Sequence, residues 1–118
     1  MKAKLSTHVL DNYHGRPAGG VAWTLERQSA TEEWTSLSSG KTNQDGRTER
    51  PLLEDDALLT ARYRLTFDCE SYYRANEVEL SAPPFLDKIA IEVNLLAGQS
   101  YHVPLLMTPW SYSTYRGS

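Results

Sequence analysis

Apolar and polar residues alternate with a period of two along most of the chain. Leu5, Thr7 and Val9 alternate with Ser6, His8 and Leu10, and Val21, Trp23 and Leu25 alternate with Ala22, Thr24 and Glu26. Tyr63, Leu65 and Phe67 alternate with Arg62, Arg64 and Thr66. The rhythm returns through Ile89, Ile91, Val93 and Leu95, and again through Tyr101, Val103, Leu105 and Met107. Successive side chains of a strand point to opposite faces, so each run has one inward and one outward face, as in antiparallel sheets. Turn-forming clusters separate the runs: Gly15-Arg16-Pro17-Ala18-Gly19-Gly20, the stretch 38–46, Ala82-Pro83-Pro84, Ala97-Gly98-Gln99 and Thr108-Pro109. Glycine supplies positive φ there, and Asn, Asp and Ser bond their own backbone. Only Cys69–Ala75 reads as a helix, two turns at most, behind Asp68 as a fair N-cap. Many short strands with no visible repeat or linker predict one all-β domain over 1–118, a two-sheet sandwich.

The end of the chain departs from a plain monomeric sandwich. A last strand is expected to begin at Trp110 and run to Ser118, with Tyr112 and Thr114 alternating with Ser113 and Tyr115. It and the strand before it carry apolar or aromatic residues on both faces; Leu106 shares the outward face of His102. Apolar area of that extent on an outward face is usually covered, which predicts a subunit interface.

Composition narrows the function classes. The chain has 118 residues with 40% hydrophobic and 23% charged, ordinary for a globular domain with one core. A net charge of -3 leaves no basic surplus to neutralise phosphates, so nucleic acid is not an expected partner. No run of about 18 apolar residues is present to span a membrane. Met1-Lys2-Ala3-Lys4 leads into a strand pattern without an apolar leader region, so a cytoplasmic location is expected, or a periplasmic one if a leader was removed before this numbering. Cys69 is the single cysteine and excludes an intrachain disulfide; it reads as an apolar filler.

Few residues offer chemistry. His8 lies on the polar face of the first strand and His102 on the outward face of a late one. Arg47 follows the turn Asn43-Gln44-Asp45-Gly46, and Tyr115-Arg116-Gly117-Ser118 ends the chain. Each has a bland explanation: a lone strand histidine is more often a surface residue, a post-turn arginine is solvated, and a terminus frays. His14, beside Gly15, reads as solvated. No metal-ligand or Ser-His-Asp spacing is present. Residue patterns alone therefore reach a sandwich with two outward histidines and an oligomer.

Three segments carry a resemblance. Leu5-Ser6-Thr7-His8-Val9-Leu10-Asp11 with Gly15-Arg16-Pro17-Ala18 resembles the opening of the transthyretin-like family. Thr42-Asn43-Gln44-Asp45-Gly46-Arg47 resembles its central motif. Tyr101-His102-Val103-Pro104-Leu105-Leu106 and Tyr112-Ser113-Thr114-Tyr115-Arg116-Gly117-Ser118 resemble its closing signature, in the enzymatic branch rather than the hormone carriers. The resemblance spans the chain, although Ala22-Trp23 puts a large aromatic where smaller residues are common, and the loop 82–88 differs. It implies a transthyretin-like (prealbumin-like) sandwich of eight strands and one short helix. It implies a homotetramer, a dimer of dimers with active sites at the dimer–dimer interface. The implied activity is hydrolysis of 5-hydroxyisourate, the unstable product of urate oxidation.

The residues carried over are His8, Arg47, His102, Tyr115 and Ser118, with no cofactor and no metal. The chemistry suits them. A histidine titrating near neutrality takes a proton from water and returns it to a leaving nitrogen, and either His8 or His102 fits that role. Arg47 suits the oxyanion. Tyr115 and Ser118 bring hydroxyls, and the terminal carboxylate, to orient water or substrate. Two rivals stand beside this expectation. A non-catalytic small-molecule carrier on the same fold calls for apolar or anion-pairing groups at these positions. An interaction module gives no reason for outward histidines beside an apolar patch.

Overall fold

The computed structural model describes residues 3–117. Two sheets pack face to face. Strands β1 (Lys4–Asp11), β2 (Arg16–Pro17), β3 (Ala22–Gln28), β4 (Trp34–Lys41) and β5 (Leu53–Glu54) precede a single 3-10 turn, Asp55–Ala57. Then come β6 (Ala61–Asp68), helix α1 (Cys69–Ala75), β7 (Lys88–Leu95), β8 (Tyr101–Thr108) and β9 (Ser111–Ser113). One sheet has the order β2-β1-β8-β9, with β5 also on β1; the other has the order β4-β3-β6-β7. Among the described residues this makes nine strands, of which β2 and β5 have only two residues each, against the eight implied by resemblance.

Alternation decides the core. Leu5 and Val9 of β1, Leu25 of β3, Tyr63, Leu65 and Phe67 of β6, Ile89 of β7, and Leu105 and Met107 of β8 are buried between the sheets. The intervening residues face out. Helix α1 has the expected bounds, and the Asp68 side chain accepts from Ser71 N at 3.1 Å. It buries Cys69, Tyr72 and Tyr73. Burial first, and then the charges of Asp68, Asp87 and Glu70, push the Cys69 thiol up to about 11, which keeps it protonated and inert.

Two boundaries differ from expectation. The stretch 38–46 is not all turn: Ser38, Ser39 and Gly40 belong to β4, which ends at Lys41. That strand lies at the sheet edge and hides no continuous apolar row, so its period-two signal is faint. Gly40 faces Trp23 across the strand pair, and a Cβ there would stand 3.0 Å from that ring, close enough that the indole would have to give by a few tenths of an ångström. The last strand is also shorter than expected. Trp110 lies in the turn, and β9 covers only Ser111–Ser113 before the chain leaves the ladder and returns at a single bridge, His102↔Gly117. The return keeps the register of β9 on β8, in which Leu106 faces Ser113. The gap coincides with Pro104, which has no N–H to donate. The Thr114 hydroxyl donates to the Pro104 carbonyl instead, at 2.6 Å.

Candidate active site

The site begins with the pairing of two strands from opposite ends of the chain. β1 and β8 run parallel, with Ser6 opposite His102 and His8 opposite Pro104. Leu5, Thr7 and Val9 are buried beneath, so Ser6, His8 and Leu10 face outward together with His102 and Leu106. The Thr7 hydroxyl donates to the Val103 carbonyl at 2.7 Å and ties the two strands from the inner side.

Arg47 reaches this face through a turn held by Asn43. The Asn43 side-chain oxygen accepts from Asp45 N at 2.9 Å and from Arg47 N at 3.1 Å, while Asn43 N donates to the Arg47 carbonyl at 2.8 Å. The turn is anchored under β1, because Val9 N donates to the Gly46 carbonyl at 2.7 Å. Gly46 has φ +76, and a Cβ there would lie 2.3 Å from the Val9 carbonyl oxygen. Both the left-handed backbone and the close approach require glycine. Thr42 is buried and fixes the other side, donating to the Ala18 carbonyl at 2.7 Å and accepting from Val21 N at 2.9 Å. Arg47 itself is exposed. Ser6, Thr7, Arg47, Thr48 and Pro51 are among the residues lining a shallow concavity of about 160 Å³ beside the histidines.

Each site histidine has one ring nitrogen engaged. His8 Nε2 lies 2.9 Å from the Asp45 carbonyl oxygen. A carbonyl only accepts, so Nε2 carries a proton, and among the described residues Nδ1 has no hydrogen-bond partner. His102 Nδ1 lies 2.9 Å from Ser6 Oγ. Burial, then the positive charge of Arg47, then His8, hold the His102 pKa below its ordinary 6.5. That neighbourhood makes His102 a neutral imidazole at physiological pH, the form that accepts a proton.

The five residues carried over by resemblance do not all converge within one chain. His8, Arg47 and His102 share a face and sense one another electrostatically. Tyr115 is exposed and lines a groove with Val93, Leu95, Tyr101, Val103 and Arg116, toward the β7 side. The Arg116 guanidinium stacks over the Tyr101 ring at 4.4 Å from its centroid. Ser118 lies outside the described residues. Gly117 does reach the site: its N–H donates to the His102 carbonyl at 2.7 Å. Among the described residues no group of three His, Cys, Asp or Glu side chains is placed to hold a metal.

Two contributors were not anticipated. Ser6 shares His8's outward face by period two, but a serine on a polar face carries no signal of its own. The Asp45 carbonyl is a backbone atom and invisible in a residue pattern. His14 is exposed, as its solvated reading expects, but it is not free. It is tethered to Asp11, with Nδ1 2.6 Å from Oδ2. Asp11 is fully buried and also accepts from the hydroxyls of Tyr72 at 2.7 Å and Tyr73 at 3.0 Å. Burial alone would raise its pKa; hydrogen bonds from His14, Tyr72 and Tyr73 outweigh that and lower it. Tyr72 is pushed up to about 12 by burial and by the bond to Asp11, and Tyr73 is raised in the same way. This cluster locks α1 onto the far end of β1, away from the two site histidines.

Comparison with known proteins places the chain in a family. The sequence model of the HIUase/Transthyretin family matches residues 5–117. The chain is 47% identical over 116 residues to the 5-hydroxyisourate hydrolase of Ralstonia nicotianae, covering 98% of each. Its fold superposes on the structure of Klebsiella pneumoniae 5-hydroxyisourate hydrolase with a TM-score of 0.80 at 30% identity, over 98% of this chain and 99% of that one. A crystal structure of (S)-allantoin synthase gives a TM-score of 0.94 at 38% identity; it covers 99% of this chain, which spans only 44% of that longer one. With a family match over nearly its whole length, and relatives aligned end to end, this chain belongs to the HIUase/Transthyretin family.

Proposed function

We propose that the chain is a cyclic amide hydrolase that converts 5-hydroxyisourate to 2-oxo-4-hydroxy-4-carboxy-5-ureidoimidazoline in urate degradation. The observation that carries this reading is the convergence of His8, His102 and Arg47 on one outward face of the β1–β8 pair. A relative named for this activity at 47% identity supports it. A carrier surface has no use for a neutral histidine beside a guanidinium that has no partner among the described residues.

In the proposed reaction water attacks a ring carbonyl. His102 takes the water proton at Nε2 as the new C–O bond forms, and Arg47 stabilises the oxyanion. Collapse of the tetrahedral centre breaks the C–N bond, and the proton passes from His102 to the departing nitrogen. His8, its Nε2 fixed on the Asp45 carbonyl, orients the substrate edge through Nδ1. Tyr115 and Ser118 contribute from the chain end.

The working unit proposed is a homotetramer. The histidine face is open in a single chain, and Trp110, Tyr112 and Tyr115 are large exposed aromatics on the neighbouring segment. A second dimer laid over this face would exclude water and bury them. Generating 5-hydroxyisourate in situ with urate oxidase and following its ultraviolet decay tests the activity. Unchanged decay at micromolar protein refutes it. Sedimentation reads the assembly, and a monomer at the same concentration refutes the tetramer.

A further inference from the structure

The two site histidines are held by partners of different kind. The Asp45 carbonyl allows only a protonated nitrogen against it, so it dictates the tautomer of His8. The Ser6 hydroxyl donates or accepts, so it satisfies either tautomer of His102. The contact is nonetheless built into the sheet. Ser6 and His102 are direct cross-strand partners, 96 residues apart in sequence, on a pair locked from below by Thr7 and Val103. Among the described residues the His102 ring has no other hydrogen-bond partner, so Nε2 is the free nitrogen. A ring that takes a proton at Nε2 must carry its resting proton on Nδ1, donated to Ser6 Oγ.

We propose that Ser6 is a positioning residue of this reaction: it fixes the His102 ring through Nδ1, accepts from Nδ1–H in the resting state, and leaves the Nε2 lone pair bare toward the substrate face. The inference rests on the hydrolase reading and deepens it. A serine suits the task better than the carboxylate that often orients a catalytic histidine. A carboxylate at position 6 would pull a proton onto the ring and hold it charged. A hydroxyl orients without adding charge. The other charged and titratable groups around the ring are His8 on β1, and Arg47, Glu49 and Arg50 on the loop lining the same concavity as Ser6. Arg116 on the returning tail is turned away onto Tyr101. Arg47 and His8 disfavour the imidazolium, in line with a resting neutral base.

Nitrogen-15 spectra of histidine-labelled protein at pH 8 test this, because ring couplings report the tautomer without turnover. His102 is expected in the Nδ1–H form in the wild type. In Ser6→Ala it is expected to shift to a mixture weighted toward Nε2–H, with kcat lower on the order of 10- to 100-fold, the usual cost of losing an orienting partner, and KM little changed. Ser6→Thr keeps the hydroxyl and is expected to restore both. Ser6→Asp is expected to raise the His102 pKa and move the acid limb of kcat/KM upward. A wild-type His102 in the Nε2–H form overturns the proposal. So does a Ser6→Ala protein, folded by its thermal transition, with unchanged tautomer and kcat. Absence of wild-type turnover refutes the hydrolase reading separately, since the spectra remain readable without it.

Discussion

Gly117 lies against His102 so closely that a Cβ at 117 would stand 2.9 Å from the imidazole Cδ2 and 3.0 Å from the His102 Cβ. The same glycine donates its N–H to the His102 carbonyl at 2.7 Å. The returning chain end therefore forms one wall of the histidine's space. Gly117→Ala is expected to displace the ring and lower kcat at least 10-fold. The thermal midpoint should fall by no more than a few degrees, because the residue sits at the rim and carries no core packing. A circular dichroism melt and the ultraviolet assay together check this, and a variant with wild-type kcat contradicts it.

Arg47 is exposed, and among the described residues its guanidinium has no hydrogen-bond or ion-pair partner. Removing it orphans no buried group. Arg47→Ala is expected to lose on the order of 100-fold or more in kcat, as loss of an oxyanion donor does, with unchanged stability and assembly. The same substitution removes a positive charge that helps hold the His102 pKa below 6.5. The acid limb of the wild-type kcat/KM profile is therefore expected below pH 6.5, and residual activity in Arg47→Ala should show that limb moved upward.

Gly46→Ala forces a left-handed backbone on a residue with a Cβ and drives that atom into the Val9 carbonyl. The Val9 N to Gly46 carbonyl bond must break or β1 must shift. The expected cost is about 2–4 kcal/mol, measured by urea unfolding. Activity should fall more than stability alone explains, because the next residue is Arg47. Gly15→Ala is a control: its φ is +73, but nothing lies within 4 Å of its Cβ position. It should cost about 1 kcal/mol.

Asp11 links stability to pH. Its folded pKa lies below the ordinary 3.8. A depressed carboxylate contributes stability that is fully present above the unfolded pKa and is lost as pH falls through the folded one. Asp11→Asn is expected to have a lower urea midpoint than wild type at pH 7, with the gap narrowing below about pH 4. A gap of the same size at pH 3 would show that the carboxylate charge is not what matters.

Two buried aromatics should respond in opposite ways to loss of their polar atom. Trp23 Nε1 is buried without a hydrogen-bond partner among the described residues. Tyr73 Oη donates to Asp11 Oδ1 at 3.0 Å and to the Met107 carbonyl at 3.1 Å. Trp23→Phe is expected to change stability by no more than about 1 kcal/mol, since relief of an unpaired donor offsets lost packing. Tyr73→Phe removes a charge-assisted bond to the buried Asp11, whose Oδ1 keeps its bonds from Tyr13 N and His14 N, and is expected to cost about 1–3 kcal/mol. Paired urea titrations compare them.

Legibility in the sequence followed burial. Runs with one wholly buried face, such as Leu5-Thr7-Val9 and Tyr63-Leu65-Phe67, announced β1 and β6 by alternation. Helix α1 was visible to the residue because its cap is a local side-chain bond. Strand β4 was obscured because an edge strand of Ser and Gly does not need an apolar row. The site was legible in part. His8, Arg47 and His102 could be named from the family resemblance, but the parallel β1–β8 pairing that unites them is a long-range event with no local trace. Ser6 and the Asp45 carbonyl matter only through contacts, and the buried Asp11 to which His14 is tethered meets Tyr72 and Tyr73 only in three dimensions.

The pairing of β1 with β8 also governs when the site can exist during synthesis. Residues 4–11 are made long before their partner strand, residues 101–108, and the closing wall, Gly117. The growing chain therefore carries an outward His8 and an open β1 edge until residues 101–108 have emerged, and the sheet closes only then. Such a topology folds slowly for its size and leaves an early strand exposed to mispairing. A chain stalled with residues 101–117 still inside the exit tunnel should be catalytically silent, and should gain activity only when a linker long enough to carry them clear of the tunnel is added.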